Sequence, residues 1–212
     1  MRSLIDFNQG WLYAARDLPL SAPDAEFAPV TLPHSNAPLP HHNFDISAYT
    51  FISTYRKHFD LPEPLAGRRL MLDFDGVMTA CQVYLNGHLL GEHDGGYVPC
   101  SFDITERARP TGNLLQVCVD STEREDIPPF GYVIDYLTFG GIYRDVRLRY
   151  VAPVHIRDAF VRTHDVLSST PSAEIDLWLH NALIEPVQVA VNWICDYTPR
   201  DDAAPAESLD AP

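Results

Sequence analysis

The sequence is poor in the features that mark several large classes of protein. Its 212 residues hold no apolar run long enough to cross a membrane as a helix. Basic residues are scarce, with 15 against 29 acidic ones, and the net charge of −14 disfavours nucleic acid and anionic membranes as partners. No hydrophobic stretch follows Arg2, so we expect no secretory signal and a cytoplasmic location.

Cysteine and metal-binding patterns are scarce as well. The four cysteines are Cys81, Cys100, Cys118 and Cys195. They form no CxxC pair and show no metal spacing, so we predict that they are reduced packing residues. His34, His41 and His42 lie close in sequence but fit no zinc pattern, which favours loop histidines held by hydrogen bonds. We therefore predict no metal site and no cofactor.

The hydrophobic pattern has a period of two, which is typical of strands with one buried face. Alternation is clear in the segments 69–75, 115–119 and 146–150, and no segment shows the pattern of a three-turn amphipathic helix. Asn86-Gly87, in the middle of Val83–Leu90, predicts a type I′ hairpin. The proline-rich segment 19–40 predicts a long surface loop.

The character of the sequence changes near Val151-Ala152-Pro153. Three further strands are predicted, at His155–Thr163, Ala173–Asn181 and Val187–Cys195. Three strands cannot close an immunoglobulin-like sandwich, which needs about seven. The segment 199–212 is acidic and alanine-rich, which indicates a loop or disorder. We therefore expect the chain to end inside a second domain.

Several segments, in one order along the chain, resemble the sugar-binding domain of glycoside hydrolase family 2, which contains β-galactosidases, β-glucuronidases and β-mannosidases. The segments are Phe7–Trp11, Val30–His34, Tyr55–Phe59, Val83–Gly87, Gly91–Tyr97, Ser101–Thr105 and Gly140–Val146. They cover the chain from about residue 7 to 150. The stretch 120–130 and Ile134-Asp135-Tyr136 are most similar to a bacterial β-galactosidase-like branch.

This resemblance implies an all-β architecture for this chain, with catalysis assigned to a separate domain. Residues 1–152 would form a jelly-roll sugar-binding domain, and residues 153–212 an incomplete immunoglobulin-like β-sandwich. The catalytic residues would lie in a downstream (β/α)₈ barrel, so we expect none in this chain and no activity from it alone. The resemblance also implies a carbohydrate substrate, hydrolysis of terminal β-galactosides with retention, and a homo-oligomer.

Asp135 is the one candidate substrate-binding residue. It lies five residues before Gly140, where the resemblance implies an aspartate that reaches the active site of the barrel. A carboxylate can accept two directed hydrogen bonds from neighbouring sugar hydroxyls. Tyr132, Tyr136 and Phe139 could wall such a site. The alternative is an aspartate that caps a turn.

Other residues favour structural interpretations. Trp11 and Tyr97 could stack on sugars, but aromatic residues beside strand ends are more often core residues. The acidic residues of 123–126 indicate a solvated loop. Arg144 is interpreted as a structural pairing residue, and Gly140-Gly141 as permitting a backbone path that side chains would block.

Three functions remain open at this point. The chain is the front part of a β-glycosidase that shapes the active site and binds sugar, a free-standing carbohydrate-binding module, or a structural β-sandwich. The fold alone does not separate them, because β-sandwiches serve all three roles. A second domain that ends part-way, together with Asp135, favours the first.

Overall fold

The computed structural model describes residues 3–38, 45–131 and 137–192. This part of the chain folds almost wholly into strands, which confirms the all-β prediction. The strands are β1 Ser3–Asp6, β2 Trp11–Ala14, β3 Ala28–Val30, β4 Ile52–Phe59, β5 Arg69–Phe74, β6 Ala80–Leu85, β7 His88–Asp94, β8 Cys100–Asp103, β9 Asn113–Asp120, β10 Val146–Val151, β11 Val154–His164 and β12 Ser172–Asn181. Helical geometry in these ranges is confined to two 3₁₀ turns, Asp24–Glu26 and Ile46–Ala48.

Two antiparallel sheets build the main body. The larger sheet has the strand order β3-β2-β4-β9-β6-β7, and the smaller has the order β1-β10-β5-β8. Several neighbours in each sheet are distant in sequence, as β10 and β5 are, because the chain crosses repeatedly from one sheet to the other. Side chains from both sheets meet in one buried cluster, which makes this body a β-sandwich.

The core of the sandwich follows from the alternation seen in the sequence. Along β5, Leu70, Leu72 and Phe74 are fully buried, and along β10 the buried residues are Val146, Leu148 and Tyr150. Burial of such apolar surface contributes about 25 cal/mol per Å². Trp11 is also fully buried, and its indole nitrogen donates to the Phe7 carbonyl at 2.7 Å, so the prediction of a core residue is confirmed.

The Asn86-Gly87 hairpin is confirmed. β6 and β7 pair directly across it, with Leu85 opposite His88. Asn86 has a φ of +52° and Gly87 a φ of +85°, the positive values that a type I′ turn requires at both central residues. The side-chain Nδ2 of Asn86 also donates to Asn113 Oδ1 at 3.0 Å, which ties the turn to the start of β9.

The prediction of a continuous loop over 19–40 is wrong in one part. The strand β3 lies inside it and pairs with β2, with Val30 opposite Trp11. Proline is depleted in strands, which hid this element in the sequence. Pro29 is tolerated because β3 is the edge strand of its sheet, where a missing amide donor breaks no inner ladder.

After β10 the chain forms a long hairpin of β11 and β12, as predicted for both strands. These strands pair with each other and with no other described strand. One face of the hairpin is apolar and open to solvent. Its residues include Ile156 (52% exposed), Val161 (55%), Ile175 (40%) and Leu179 (46%).

The predicted strand Val187–Cys195 is wrong over the residues that the structure describes. Residues 187–192 have no strand pairing, and Val187, Val189 and Val191 are each more than 40% exposed. A strand forms only when a neighbour satisfies its backbone groups, and these residues have no such neighbour within the described ranges. The remainder of the predicted strand lies outside those ranges.

Within the described residues, the chain divides into two units between Ala182 and Leu183. Within the described ranges, no helix has the length and apolar character needed to span a membrane.

Candidate functional site

Three loops are bound together at one end of the sandwich. They are the segments 31–51, 75–79 and 121–145, which connect β3 to β4, β5 to β6 and β9 to β10. The His34 amide donates to the Ile142 carbonyl at 2.8 Å, and the Met78 amide donates to the Gly141 carbonyl at 3.0 Å. Ser121 Oγ donates to the Met78 carbonyl at 2.8 Å. We call this arrangement the loop frame.

The two glycines 140 and 141 allow the loops to approach this closely. A Cβ on Gly140 would lie 2.5 Å from Ser121 Oγ, and a Cβ on Gly141 would lie 2.4 Å from Tyr55 Oη and 2.9 Å from the His34 carbonyl oxygen. Gly141 also has a φ of +95°, which favours glycine. The prediction that these glycines permit a path closed to side chains is confirmed.

Beneath the loop frame lies a cluster of three rings. Tyr55 Oη is 2.9 Å from His34 Nδ1, and the Tyr13 ring lies 4.7 Å from the His34 ring. Tyr13 Oη donates to the Asn36 carbonyl at 2.5 Å. The interpretation of His34 as a loop histidine held by hydrogen bonds is confirmed. His41 and His42 lie outside the described residues.

Burial sets the protonation of this ring cluster. It raises the pKa of Tyr13 to about 12 and raises the pKa of Tyr55 well above its ordinary value. It also lowers the pKa of His34 below its ordinary value, so the imidazole is neutral at pH 7. The three rings are therefore uncharged at pH 7 where they support the loop frame.

Asn36 supplies a buried polar group that sequence reasoning missed. It is 3% exposed, and its Nδ2 donates to the Tyr49 carbonyl at 2.6 Å. Its Oδ1 has no hydrogen-bond partner among the described residues. No periodicity or motif marks this residue, because its burial depends on contacts between the loop 31–51 and Gly140.

Asp135 lies in the segment 132–136, outside the described residues, together with Tyr132 and Tyr136. The residues that flank this segment belong to the connection between β9 and β10 and expose aromatic surface. Phe130 is 45% exposed and Phe139 is 40% exposed. Exposed aromatic rings suit the apolar face of a sugar ring. The role of Asp135 stays a prediction.

The remaining sequence candidates near the loop frame have mainly structural contacts. Asp126 forms an ion pair with Arg124 at 2.6 Å on the exposed surface, as expected of a solvated acidic loop. Arg144 lies over the Tyr143 ring at 5.1 Å, and Tyr143 Oη donates to the Gly96 carbonyl at 2.7 Å. Tyr97, beside Gly96, is 41% exposed and so is not a core residue.

Three of the four cysteines lie within the described residues. Cys81, Cys100 and Cys118 are free thiols, and Cys195 lies outside the described ranges. In the part of the chain that is described, no group of three or more histidine, cysteine, aspartate or glutamate side chains is placed to hold a metal ion.

The sandwich and its loop frame define a β-sandwich domain of the galactose-binding-like type. Residues 44–129 match the family model described as glycosyl hydrolase 2 galactose-binding domain-like. This domain therefore belongs to the galactose-binding-like domain family of glycoside hydrolase family 2.

Two curated relatives are named β-galactosidase. That of Thermoanaerobacter pseudethanolicus is 44% identical over 165 residues, which cover 75% of this chain and 22% of the relative. That of Thermoanaerobacterium thermosulfurigenes is 40% identical over 187 residues, which cover 85% of this chain and 26% of the relative. The chain thus spans about a quarter of the length of these relatives.

Solved structures of similar fold carry the names β-glucuronidase and putative β-galactosidase. A calcium-binding mutant of Bacteroides uniformis β-glucuronidase 2 matches with a TM-score of 0.75 and 29% identity, over 85% of this chain and 23% of the other. The same enzyme, covalently bound to cyclophellitol-6-carboxylate aziridine, matches with a TM-score of 0.65 and 30% identity, over 77% of this chain and 20% of the other.

Proposed function

We propose that the chain is the N-terminal, non-catalytic part of a β-galactosidase that hydrolyses terminal β-galactosides with retention. The observation that carries this proposal is the 44% identity, over three quarters of the chain, to a protein named β-galactosidase. Relatives named β-glucuronidase are less similar, at 29–30% identity.

In this proposal the catalytic carboxylates are supplied by a barrel downstream in the same polypeptide. A retaining enzyme needs two carboxyl groups about 5 Å apart, one as the acid and one as the nucleophile. The relatives are about four times as long as the matched segment, which leaves room for such a domain. The 212-residue chain alone is then expected to hydrolyse no glycoside.

The loop frame is proposed to hold Asp135 towards the sugar. Its backbone bonds among three loops, and the exclusion of side chains at 140 and 141, fix both sides of the connection that carries Asp135. Phe130 and Phe139 would supply apolar contact beside it. A rigid surround is what a substrate-positioning carboxylate requires.

The second domain is proposed to begin after Ala152. Support comes from the hairpin of β11 and β12, which pairs with neither sheet of the sandwich and exposes one apolar face. Residues 1–152 would then be the sugar-binding domain, and 153–212 the start of an immunoglobulin-like one. A cytoplasmic location is part of the same proposal. A homo-oligomer remains part of the proposal.

The test is steady-state kinetics of Asp135→Ala in the full-length protein on an aryl β-galactoside. A hydrogen bond to a charged acceptor contributes about 1.5–3 kcal/mol, so kcat/KM should fall by roughly ten- to a hundred-fold. Asp126→Ala is the matched control, because Asp126 lies in the same connection, is 64% exposed and has its ion pair with Arg124 within that connection.

Two outcomes would contradict this role. Asp135→Ala could keep the wild-type kcat/KM, or it could lose activity only in step with a lowered melting temperature. Retention is checked separately by NMR of the first sugar released, which should carry the β configuration of the substrate.

A further inference from the structure

A cleft of about 880 Å³ lies on the outer face of the smaller sheet, away from the core of the sandwich. Its floor is formed by β10, β5 and β8. One wall comes from the first residues of β11 and from His180 near the end of β12. The volume lies within the range of about 300–1,000 Å³ that small-molecule sites occupy.

The register of the smaller sheet places two rows of side chains on this floor. One row runs Leu4, Arg149, Met71 and Asp103 across four strands. The next row runs Arg147, Asp73 and Ser101. These positions alternate with the buried core positions of the same strands, so they point outward together.

The polar groups of the floor are held in fixed geometry. Arg149 donates through Nε to Asp73 Oδ2 at 2.5 Å and through Nη2 to Oδ1 at 2.9 Å, a bidentate pair. Ser101 Oγ donates to the same Oδ1 at 2.5 Å. Arg147 donates to Asp75 Oδ2 at 2.6 Å. Such pairing limits side-chain motion, so a ligand would meet donors and acceptors that are already ordered.

The charge of the lining selects a class of ligand. Four carboxylates, of Asp73, Asp75, Asp103 and Asp158, face three guanidinium groups, of Arg147, Arg149 and Arg157. The cleft is therefore nearly neutral on a chain whose net charge is −14. It has no excess of positive charge for a phosphate and little uncompensated negative charge for a metal ion.

Alternating acceptors and donors suit a ligand that carries many hydroxyl groups, since each hydroxyl both donates and accepts. Apolar surface is present beside them. Leu4 is 55% exposed and Ile156 is 52% exposed, and the His155 and His180 rings lie together at the wall with centroids 5.3 Å apart. A pyranose ring offers this same combination of hydroxyl edges and apolar C–H faces.

We propose that this cleft binds a short neutral oligosaccharide. The site is separate from the loop frame and does not depend on the role of Asp135. It uses Arg147, Arg149 and Asp73 for the sugar hydroxyls, and Leu4 and Ile156 for the ring faces.

The experiment is an NMR titration of the ¹⁵N-labelled 212-residue chain with lactose and with a linear galactan-derived oligosaccharide. Saturable shifts are expected at residues of β5, β8 and β10 that line the cleft. Glucuronate is the charged comparison and should bind more weakly than lactose. Absence of saturable shifts with both neutral sugars would overturn the proposal, as would shifts confined to the loop frame.

Two variants test the location. Ser101→Trp fills the cleft from an exposed position on an edge strand and should weaken binding at least about tenfold. Ser172→Trp, on the exposed start of β12 outside the cleft, is the matched control and should leave binding unchanged. Equal affinity in both variants would overturn the proposal.

Arg147→Gln gives a second measurement that remains useful if Ser101→Trp does not fold. Its partners Asp75 and Asp145 are about 40% exposed and can be hydrated, so the fold should persist. Affinity should fall by about threefold or more. Arg162→Gln is its control, because the ion pair between Arg162 and Asp176 lies on the hairpin, outside the cleft. Wild-type affinity in Arg147→Gln would contradict the assignment.

Failure of these tests leaves the β-galactosidase proposal intact, because that proposal is judged by the kinetics of Asp135→Ala.

Discussion

Arg56 provides the most demanding test of how the sandwich holds its first long loop. It lies on β4, its side chain is 2% exposed, and its guanidinium lies 4.3 Å from the Phe27 ring centroid. It donates to Gln116 Oε1 at 2.7 Å, to the Ala22 carbonyl at 2.6 Å and to Asp24 Oδ1 at 2.9 Å. This one side chain therefore joins the loop 15–27 to two strands.

Arg56→Met keeps the aliphatic stem and removes the donors. Each buried acceptor left without a partner costs about 1–3 kcal/mol. Gln116 is 3% exposed and bears this cost, whereas the Asp24 side chain is 49% exposed and can be hydrated. We therefore expect a loss of about 3 kcal/mol in the free energy of unfolding. For a chain of this size that loss lowers the melting temperature by roughly 6–12 °C.

The assay is urea and thermal denaturation followed by circular dichroism, with limited proteolysis to report on the loop. Arg16→Ala is the control, because its ion pair with Glu26 joins the same loop with side chains that are 61% and 36% exposed. It should cost less than about 1 kcal/mol. A stability of Arg56→Met within about 0.5 kcal/mol of the wild type would refute the reasoning.

Two further predictions concern the loop frame and pH. Gly141→Ala should lower the free energy of unfolding by more than about 3 kcal/mol, because the new Cβ would overlap Tyr55 Oη. Gly112→Ala is the control, because Gly112 has open space around it, and it should cost about 1–2 kcal/mol. Equal losses in denaturant unfolding would contradict the packing argument. The hydrogen bond from Arg56 holds the pKa of Asp24 below its ordinary 3.8, so this contact stabilises the fold above about pH 4 and is lost as the pH falls through the lowered pKa. Asp24→Asn should therefore lower the melting temperature at pH 7. It should also make the melting temperatures at pH 7 and pH 3 differ less than they do in the wild type, and an unchanged difference would contradict this prediction.

The sequence pattern predicted the strands in which buried and exposed residues alternate. The alternation in 69–75, 115–119 and 146–150 corresponds to β5, β9 and β10, since each has one face in the core. β3 was hidden because its proline reads as a loop, although an edge position tolerates it. The segment 187–192 has the right alternation but lacks a neighbouring strand within the described residues, so pattern alone overpredicted it.

The sites depend on contacts that no local pattern records. Asn36 is buried because Gly140, more than a hundred residues later, leaves it room. The cleft exists because β10 pairs with β5, which brings Arg149 beside Asp73. Alternation predicts that both side chains point outward, but only the pairing of β10 with β5 places their two rows next to each other. The role of Asp135 came from resemblance alone and remains a prediction.

The most direct test of the central claim is a comparison of substrates with the full-length protein. We predict that kcat/KM on an aryl β-galactoside exceeds that on the matching aryl β-glucuronide by at least about 100-fold, because a site built for the galactose hydroxyls leaves a carboxylate unpaired. An equal or greater kcat/KM on the glucuronide would contradict the assignment to β-galactosidase.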